Sequence, residues 1–381
     1  PWTQNKRFEE LIKMTMLTKA MKIRMWTAAA VLAAALTSCV SNEVTQPVSE
    51  DIPITYSVLQ KSMATRAVVS GITYPQGAPF GSFAYYLPSG KTWRDDKKDA
   101  QIYIDNDEVT YDEQGTNSFA PNSWHSEIVH YWPKTGSLTF FSYSPYDALQ
   151  GNISCTPENG LMINSWIARM VPGDADDPET SDLMIAKSEN QTGNTSSVGG
   201  YQAGVPTAFQ HILCQIEVRA KMDDADTDKA IVIYSVSLNN LWSRAVFSNE
   251  QWNNHGEKID TVKKDLGTSG VLLDKDVTKF ETVFPAMLMI PQSRLSVSGA
   301  EGREDPGITI RYAYKEASES SYRITKVTKT FLDIDGLNQL WNQGKKYILT
   351  IAFSTKDAYI EFDTTVEGWK DGTGVDIIVG D

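Results

Sequence analysis

At 381 residues and 41% hydrophobic, with 10 Trp, 16 Tyr and 13 Phe, the chain can bury packed cores. That excludes wholesale disorder and leaves room for about two domains of ordinary size. The net charge is −13, and residues 67–381 hold 27 Lys and Arg against 43 Asp and Glu with no basic stripe, which excludes nucleic acid as a partner because such a body repels phosphate.

Residues 1–20 open on Pro1 and precede a start at Met21, so they read as an over-extended gene start outside the fold. From Met21 a basic segment, Met21-Lys22-Ile23-Arg24, leads into an apolar run at 25–36 and the small residues Thr37-Ser38. That order makes 21–38 an export signal. A spanning helix needs ~20 apolar residues, so this run is too short to be one. The ending Leu36-Thr37-Ser38-Cys39 resembles the lipobox of bacterial lipoproteins, which implies that the Cys39 thiol takes a diacylglycerol and becomes the mature N-terminus.

Residues 39–66 then divide into a tether and a strand. The stretch 40–51 is Ser, Asn, Glu, Thr, Gln and Pro with scattered Val, a solvated linker. After it, Ile52, Ile54, Tyr56 and Val58 place apolar side chains on one strand face, with Pro53, Thr55 and Ser57 on the other. Pro53 has no N–H to donate, which suits an edge or a strand start. A lone short strand is unstable in water, so this one must pair with something downstream. Arg66-Ala67 separates it from the rest of the chain, where exposed backbone is easiest to cut. Arg66 is therefore a candidate processing point and 52–58 a candidate removable strand.

Beyond Arg66 short β-branched and aromatic runs alternate with Gly, Pro, Asn and Asp, the pattern of an all-β sandwich protein. Strands are expected at 67–74, 80–86, 102–104, 108–111, 128–131, 137–143, 161–167 and 183–186. The Gly/Ser/Asn/Gln-rich stretch 188–204 places a domain boundary, giving an N-terminal domain at 67–204 and a C-terminal one at 205–381. The second set begins at Ala208 and includes 212–220, 231–238, 245–248, 280–284, 287–290, 308–314, 322–331, 347–353 and 360–366. Residues 337–341 are the clearest helical turn. The last apolar run, Val375-Asp376-Ile377-Ile378-Val379, stands where polar sequence is usual and reads as a strand awaiting a partner.

Catalytic and metal chemistry find little support. His125 and His130 are five apart, on opposite faces of a strand, and no H-E-x-x-H helix accompanies them. The acidic clusters at 174–177 and 223–228 lack the mid-loop Gly and terminal Glu of an EF-hand, so solvated loops are favoured over calcium sites. Cys155 and Cys214 form no C-x-x-C pair; a disulfide between them is open, and two separate buried thiols are the favoured reading. No G-x-S-x-G elbow, P-loop or G-x-G-x-x-G is present, so no cofactor is expected. Carboxylate pairs for glycoside hydrolysis stay open, because their spacing is a tertiary property. Trp124 and Tyr131-Trp132 suit sugar stacking, with β-core packing favoured.

A set of motifs spread along the chain resembles the fimbrillin (Mfa-like) family, the type V pilins of diderm gut and oral bacteria. They are 131–145 (YWPKTGSLTFFSYSP), 182–186 (DLMIA), 205–213 (VPTAFQHIL), 289–292 (MIPQ), 341–350 (WNQGKKYILT) and 366–369 (VEGW). The resemblance implies two transthyretin-like β-sandwich domains in tandem and no enzymatic activity. It implies an outer-membrane lipoprotein anchored through Cys39 and cut between Arg66 and Ala67 by an arginine-specific protease. Loss of the first strand would open a hydrophobic groove for a strand of a neighbouring pilin subunit, and Val375, Ile377 and Val379 are this chain's candidate donor. The leading reading is thus a cell-surface fimbrial subunit supporting adhesion. The alternative is a monomeric outer-membrane surface lipoprotein binding glycan or a host ligand.

Overall fold

The computed structural model describes residues 52–60, 74–173, 182–193, 204–223, 229–253, 259–292, 305–316, 318–338, 341–354 and 360–368. In chain order the first strands are β1 (Tyr56–Gln60), β2 (Phe80–Leu87), β3 (Gln101–Asp112), β4 (Ser123–Ser126), β5 (Ser137–Ser144), β6 (Ile153–Thr156) and β7 (Gly160–Ile167). Next come β8 (Met184–Gln191), β9 (Val205–His211), β10 (Cys214–Met222), β11 (Lys229–Trp242), β12 (Arg244–Ser248) and β13 (Gln251–Asn253). The last are β14 (Ile259–Asp265), β15 (Val271–Leu272), β16 (Glu281–Met289), β17 (Gly307–Glu316), β18 (Arg323–Thr330), β19 (Lys345–Phe353) and β20 (Ile360–Gly368). The protein is all-β, with one short α-helix, α1 (Trp93–Asp96), and three single 3-10 turns at Lys97–Asp99, Asp147–Leu149 and Phe331–Asp333 among the described residues.

The first sheet closes on itself in the order β1-β4-β3-β2-β5-β8-β9, with β1 as the closing strand. Two more sheets, β16-β10-β19-β20 and β14-β11-β17-β18 with β15 beside β11, face each other across a shared core. Tyr312 of β17 meets Phe353 of β19 edge to face at 5.1 Å between them. A fourth sheet, β13-β12-β7-β6, pairs strands from the two halves of the sequence.

β2 and β5 lie between two cores, which explains their lack of a polar face. On β5, Leu138 and Phe140 point into the barrel, whereas Phe141 and Tyr143 join the larger core. Every residue of β5 is buried. The larger core runs from Phe83 to Phe353, and residues 51–381 form one contact unit. β9 belongs to the barrel through β8 and β1, so the crossover from the first sheet falls at Ile212-Leu213, after the 204–205 boundary read from composition.

Several expected elements shift. The runs at 102–104 and 108–111 are one strand, β3, with Asn106 at φ 59° where the register slips. The runs at 280–284 and 287–290 likewise fuse into β16 across Pro285, where the ladder with β10 is irregular. No strand forms at 128–131: Ile128 is exposed, the Ser126 hydroxyl donates to the Ile128 carbonyl at 2.8 Å, and only Tyr131 bridges, to Pro53. The strand lies earlier, at β4. Of the run at 337–341, residues 339–340 lie outside the described residues, and the Trp341 N–H donates to the Gln292 carbonyl at 3.0 Å.

Candidate functional site

The feature that sets this fold apart from a plain sandwich is the strand closing the barrel. β1 runs parallel to β9, Tyr56 opposite Val205 through Gln60 opposite Phe209. On its other edge Tyr56 stands opposite Trp124 of β4. Ahead of β1, the Ile54 N–H donates to the His130 carbonyl and the Trp132 N–H to the Ile52 carbonyl, both at 2.8 Å. The Val205 N–H donates to the Thr55 carbonyl at 2.7 Å. Residues 52–60 therefore bridge two strand edges that would otherwise be unpaired.

The alternation read from the sequence places its side chains in the barrel. Ile54 and Tyr56 are 2% and 4% exposed, and Ile52 and Val58 are half-buried against the same core. Each fully buried side chain of this size contributes about 1.5–3 kcal/mol. The Tyr56 ring stands edge-on to Phe80 at 5.4 Å and to Phe140 at 5.9 Å. Burial pushes the Tyr56 phenol well above the ordinary range, with the Ser82 hydroxyl offsetting part of this. Its oxygen makes no hydrogen bond of good geometry among the described residues.

Hydroxyls are paired inside this apolar barrel, that of Ser82 beside the Tyr56 oxygen. The Ser142 hydroxyl donates to Ser82 at 3.2 Å, and the Tyr74 and Ser144 hydroxyls share a hydrogen bond at 2.6 Å. Burial pushes the Tyr74 phenol up to about 12 despite that bond. Gly204 guards the entry to β9 at φ 75°, and a Cβ there would stand 2.8 Å from the Tyr56 carbonyl carbon and 2.9 Å from the Thr55 oxygen. Only glycine lets the two backbones approach so closely.

Two histidines pin the far wall of the slot to β3. His130 Nε2 lies 2.7 Å from an Asp107 carboxylate oxygen, and the same residue's carbonyl holds Ile54. His125 Nε2 lies 3.3 Å from Asp112, its Nδ1 3.0 Å from the Ser126 carbonyl, and its ring stacks on Phe119 at 3.7 Å. The Gly115 N–H, then His125 and the Gln114 N–H, outweigh burial and hold the Asp112 carboxyl below its ordinary value. Outside this wall lies an open groove of about 840 Å³ lined by Asp107, Glu108, Asp112, Glu113 and Glu127. No group of three or more His, Cys, Asp or Glu fit to hold a metal occurs among the described residues.

The remaining candidates separate. Cys39, Arg66, Ala67, Val375, Ile377 and Val379 lie outside the described residues. Cys155 and Cys214 are free thiols, the first half-buried and the second buried; burial pushes Cys155 up to about 12 and Cys214 further up. Trp124 and Trp132 sit in the barrel core, and of the aromatic residues considered for sugar stacking only Tyr131 is exposed. Sequence reasoning passed over Gly204, which sits at the end of the stretch read as a domain boundary, and the serines Ser82, Ser142 and Ser144. Ser142 and Ser144 alternate with Phe141 and Tyr143 on β5, a signal that this strand is two-faced.

A family model described as fimbrillin-like matches residues 65–369. The chain belongs to the fimbrillin-like family. Among solved structures, a fimbrial protein from Bacteroides vulgatus superposes with a TM-score of 0.56 at 19% identity, over 84% of this chain and 99% of that one. That likeness is one of fold. A candidate cell adhesion protein from Parabacteroides distasonis gives 0.49 at 11% identity, over 85% and 98%. Another from Bacteroides uniformis gives 0.42 at 16%, over 85% and 100%. No curated protein sequence matches. Within this fimbrillin-like chain, β1 lies ahead of the matched range and every other described strand lies inside it.

Proposed function

We infer that this fimbrillin-like chain is a structural, non-enzymatic subunit of a cell-surface fimbria, assembled by strand exchange. In this reading it travels as a lipoprotein on Cys39, reaches the outer membrane, and is cut after Arg66 by an arginine-specific protease. The cut frees β1 from the body of the protein, and a neighbouring subunit's strand takes its place. The observation that carries the reading is the position of β1, a short N-terminal strand that closes the barrel alone and precedes the family match.

The physics supports such an exchange. Loss of residues 52–60 leaves the β4 and β9 edges unpaired and uncovers Phe80, Phe140 and Phe209. Both effects cost free energy until a strand is added. A subunit that accepts at the barrel and donates from Val375, Ile377 and Val379 uses different surfaces for the two, so the contact propagates into a filament. N-terminal sequencing of purified surface fibres tests this. Chains beginning at Ala67 are the expected result, and fibres whose chains still begin at Cys39 would overturn it.

A further inference from the structure

Tyr56 stands out among the residues of β1. It stands between Trp124 on β4 and Val205 on β9, where the slot is bounded by a strand on each side. Its ring fills a socket formed by Phe80 and Phe140, and its oxygen reaches toward the paired hydroxyls of Ser82 and Ser142. Gly204, with no side chain, lets the backbone of β1 lie close against the start of β9, so an occupant of the slot must approach as closely for its side chain to reach that socket. An aliphatic side chain there leaves part of the socket empty, and the enclosing rings belong to a close-packed barrel with little freedom to collapse.

The apolar run Val375-Asp376-Ile377-Ile378-Val379 contains no aromatic residue. Laid in the slot with Val375, Ile377 and Val379 inward, it puts Ile377 where Tyr56 sits. We propose that the slot selects its occupant through the Tyr56 socket and takes a strand from a different pilin chain, one carrying Tyr or Phe at that position, in preference to the C-terminal run of a second copy. Copies of this chain then do not cap one another efficiently, and the chain joins a mixed polymer. This rests on the strand-exchange reading above, and it adds which strand is accepted.

Displacement from the cut protein tests it. The full chain is cleaved with an arginine-specific endoprotease, and release of the β1 fragment is followed by mass spectrometry against added peptides. The peptides are residues 52–60, the same with Tyr56→Ile, residues 374–381, and the last with Ile377→Tyr. The expected order is that 52–60 displaces the fragment at concentrations ~10-fold or more below those needed for the Tyr56→Ile and 374–381 peptides. Ile377→Tyr is expected to recover most of that difference. Equal displacement by 374–381 and 52–60, or no gain from Ile377→Tyr, would overturn the socket. No displacement by any peptide, 52–60 included, would instead remove the strand-exchange reading and the socket with it.

Discussion

Truncating Tyr56 to alanine empties a socket walled by Phe80 and Phe140 at the point where β1 meets both its neighbours. The expected loss is about 3–5 kcal/mol, measured as a shift in urea midpoint. Tyr56→Phe keeps the ring and removes an oxygen that lacks a well-formed bond, so it should change stability by less than about 1 kcal/mol. The contrast between the two separates ring packing from hydroxyl chemistry. Gly204→Ala acts on the same strand from the other side. The left-handed φ and the 2.8 Å approach to the β1 backbone both oppose a Cβ. Faster amide hydrogen exchange at residues 55–58, with the sheets around β10 unaffected, is the expected outcome; unchanged exchange would show that the backbone relaxes around the methyl group.

Among whole elements, β10 shows how a central strand carries charge. Its inward residues Ile216, Val218 and Ala220 are fully buried, and Glu217 on the opposite face is only 6% exposed. Burial alone would raise the Glu217 carboxyl. Hydrogen bonds from Lys346, at 2.6 Å on neighbouring β19, and from Arg219 outweigh it and hold the carboxyl below the ordinary 4.5. A depressed folded value adds stability that is complete above the unfolded value and is lost as pH falls through the folded one. The wild type should therefore lose stability as pH drops below about 4.5, and Glu217→Gln should flatten that slope in urea titrations over about pH 3–6. An unaltered slope would assign the acid sensitivity to other carboxylates. β5 makes a related point about packing. Phe140 and Phe141 are sequence neighbours that serve separate cores, so serine at either position should destabilise the protein.

For the whole molecule, the barrel is closed by a strand that, under the proposed function, a single cut would free. Arg66→Ala leaves β1 attached to its barrel and should abolish fibres seen by electron microscopy of the cell surface while leaving the monomer's Tm unchanged. Fibres unaffected by the substitution would reject processing at Arg66. Much of the architecture was legible in advance. The runs at 137–143, 308–314 and 347–353 appear within β5, β17 and β19, because period-two alternation and β-branched content report strand geometry directly. β4 was not legible: Ser123-Trp124-His125-Ser126 has no β-branched residue and gains its order from β3 and β1. The apolar look of Ile128 drew the expectation to the wrong segment.

The sequence by itself determined that the protein is all-β, that Ile52, Ile54, Tyr56 and Val58 turn to one side of their segment, and that this segment needs a partner. Those properties follow from backbone periodicity and side-chain character within a few residues. Only the tertiary structure decided that the partner is β9 in parallel on one edge and β4 on the other. It alone showed that β5 divides its side chains between two cores, and that Gly204 is a contact surface as well as the end of a polar stretch. Strand pairing depends on which distant edges can satisfy each other's N–H and C=O groups while their apolar faces meet, and no local pattern encodes that choice.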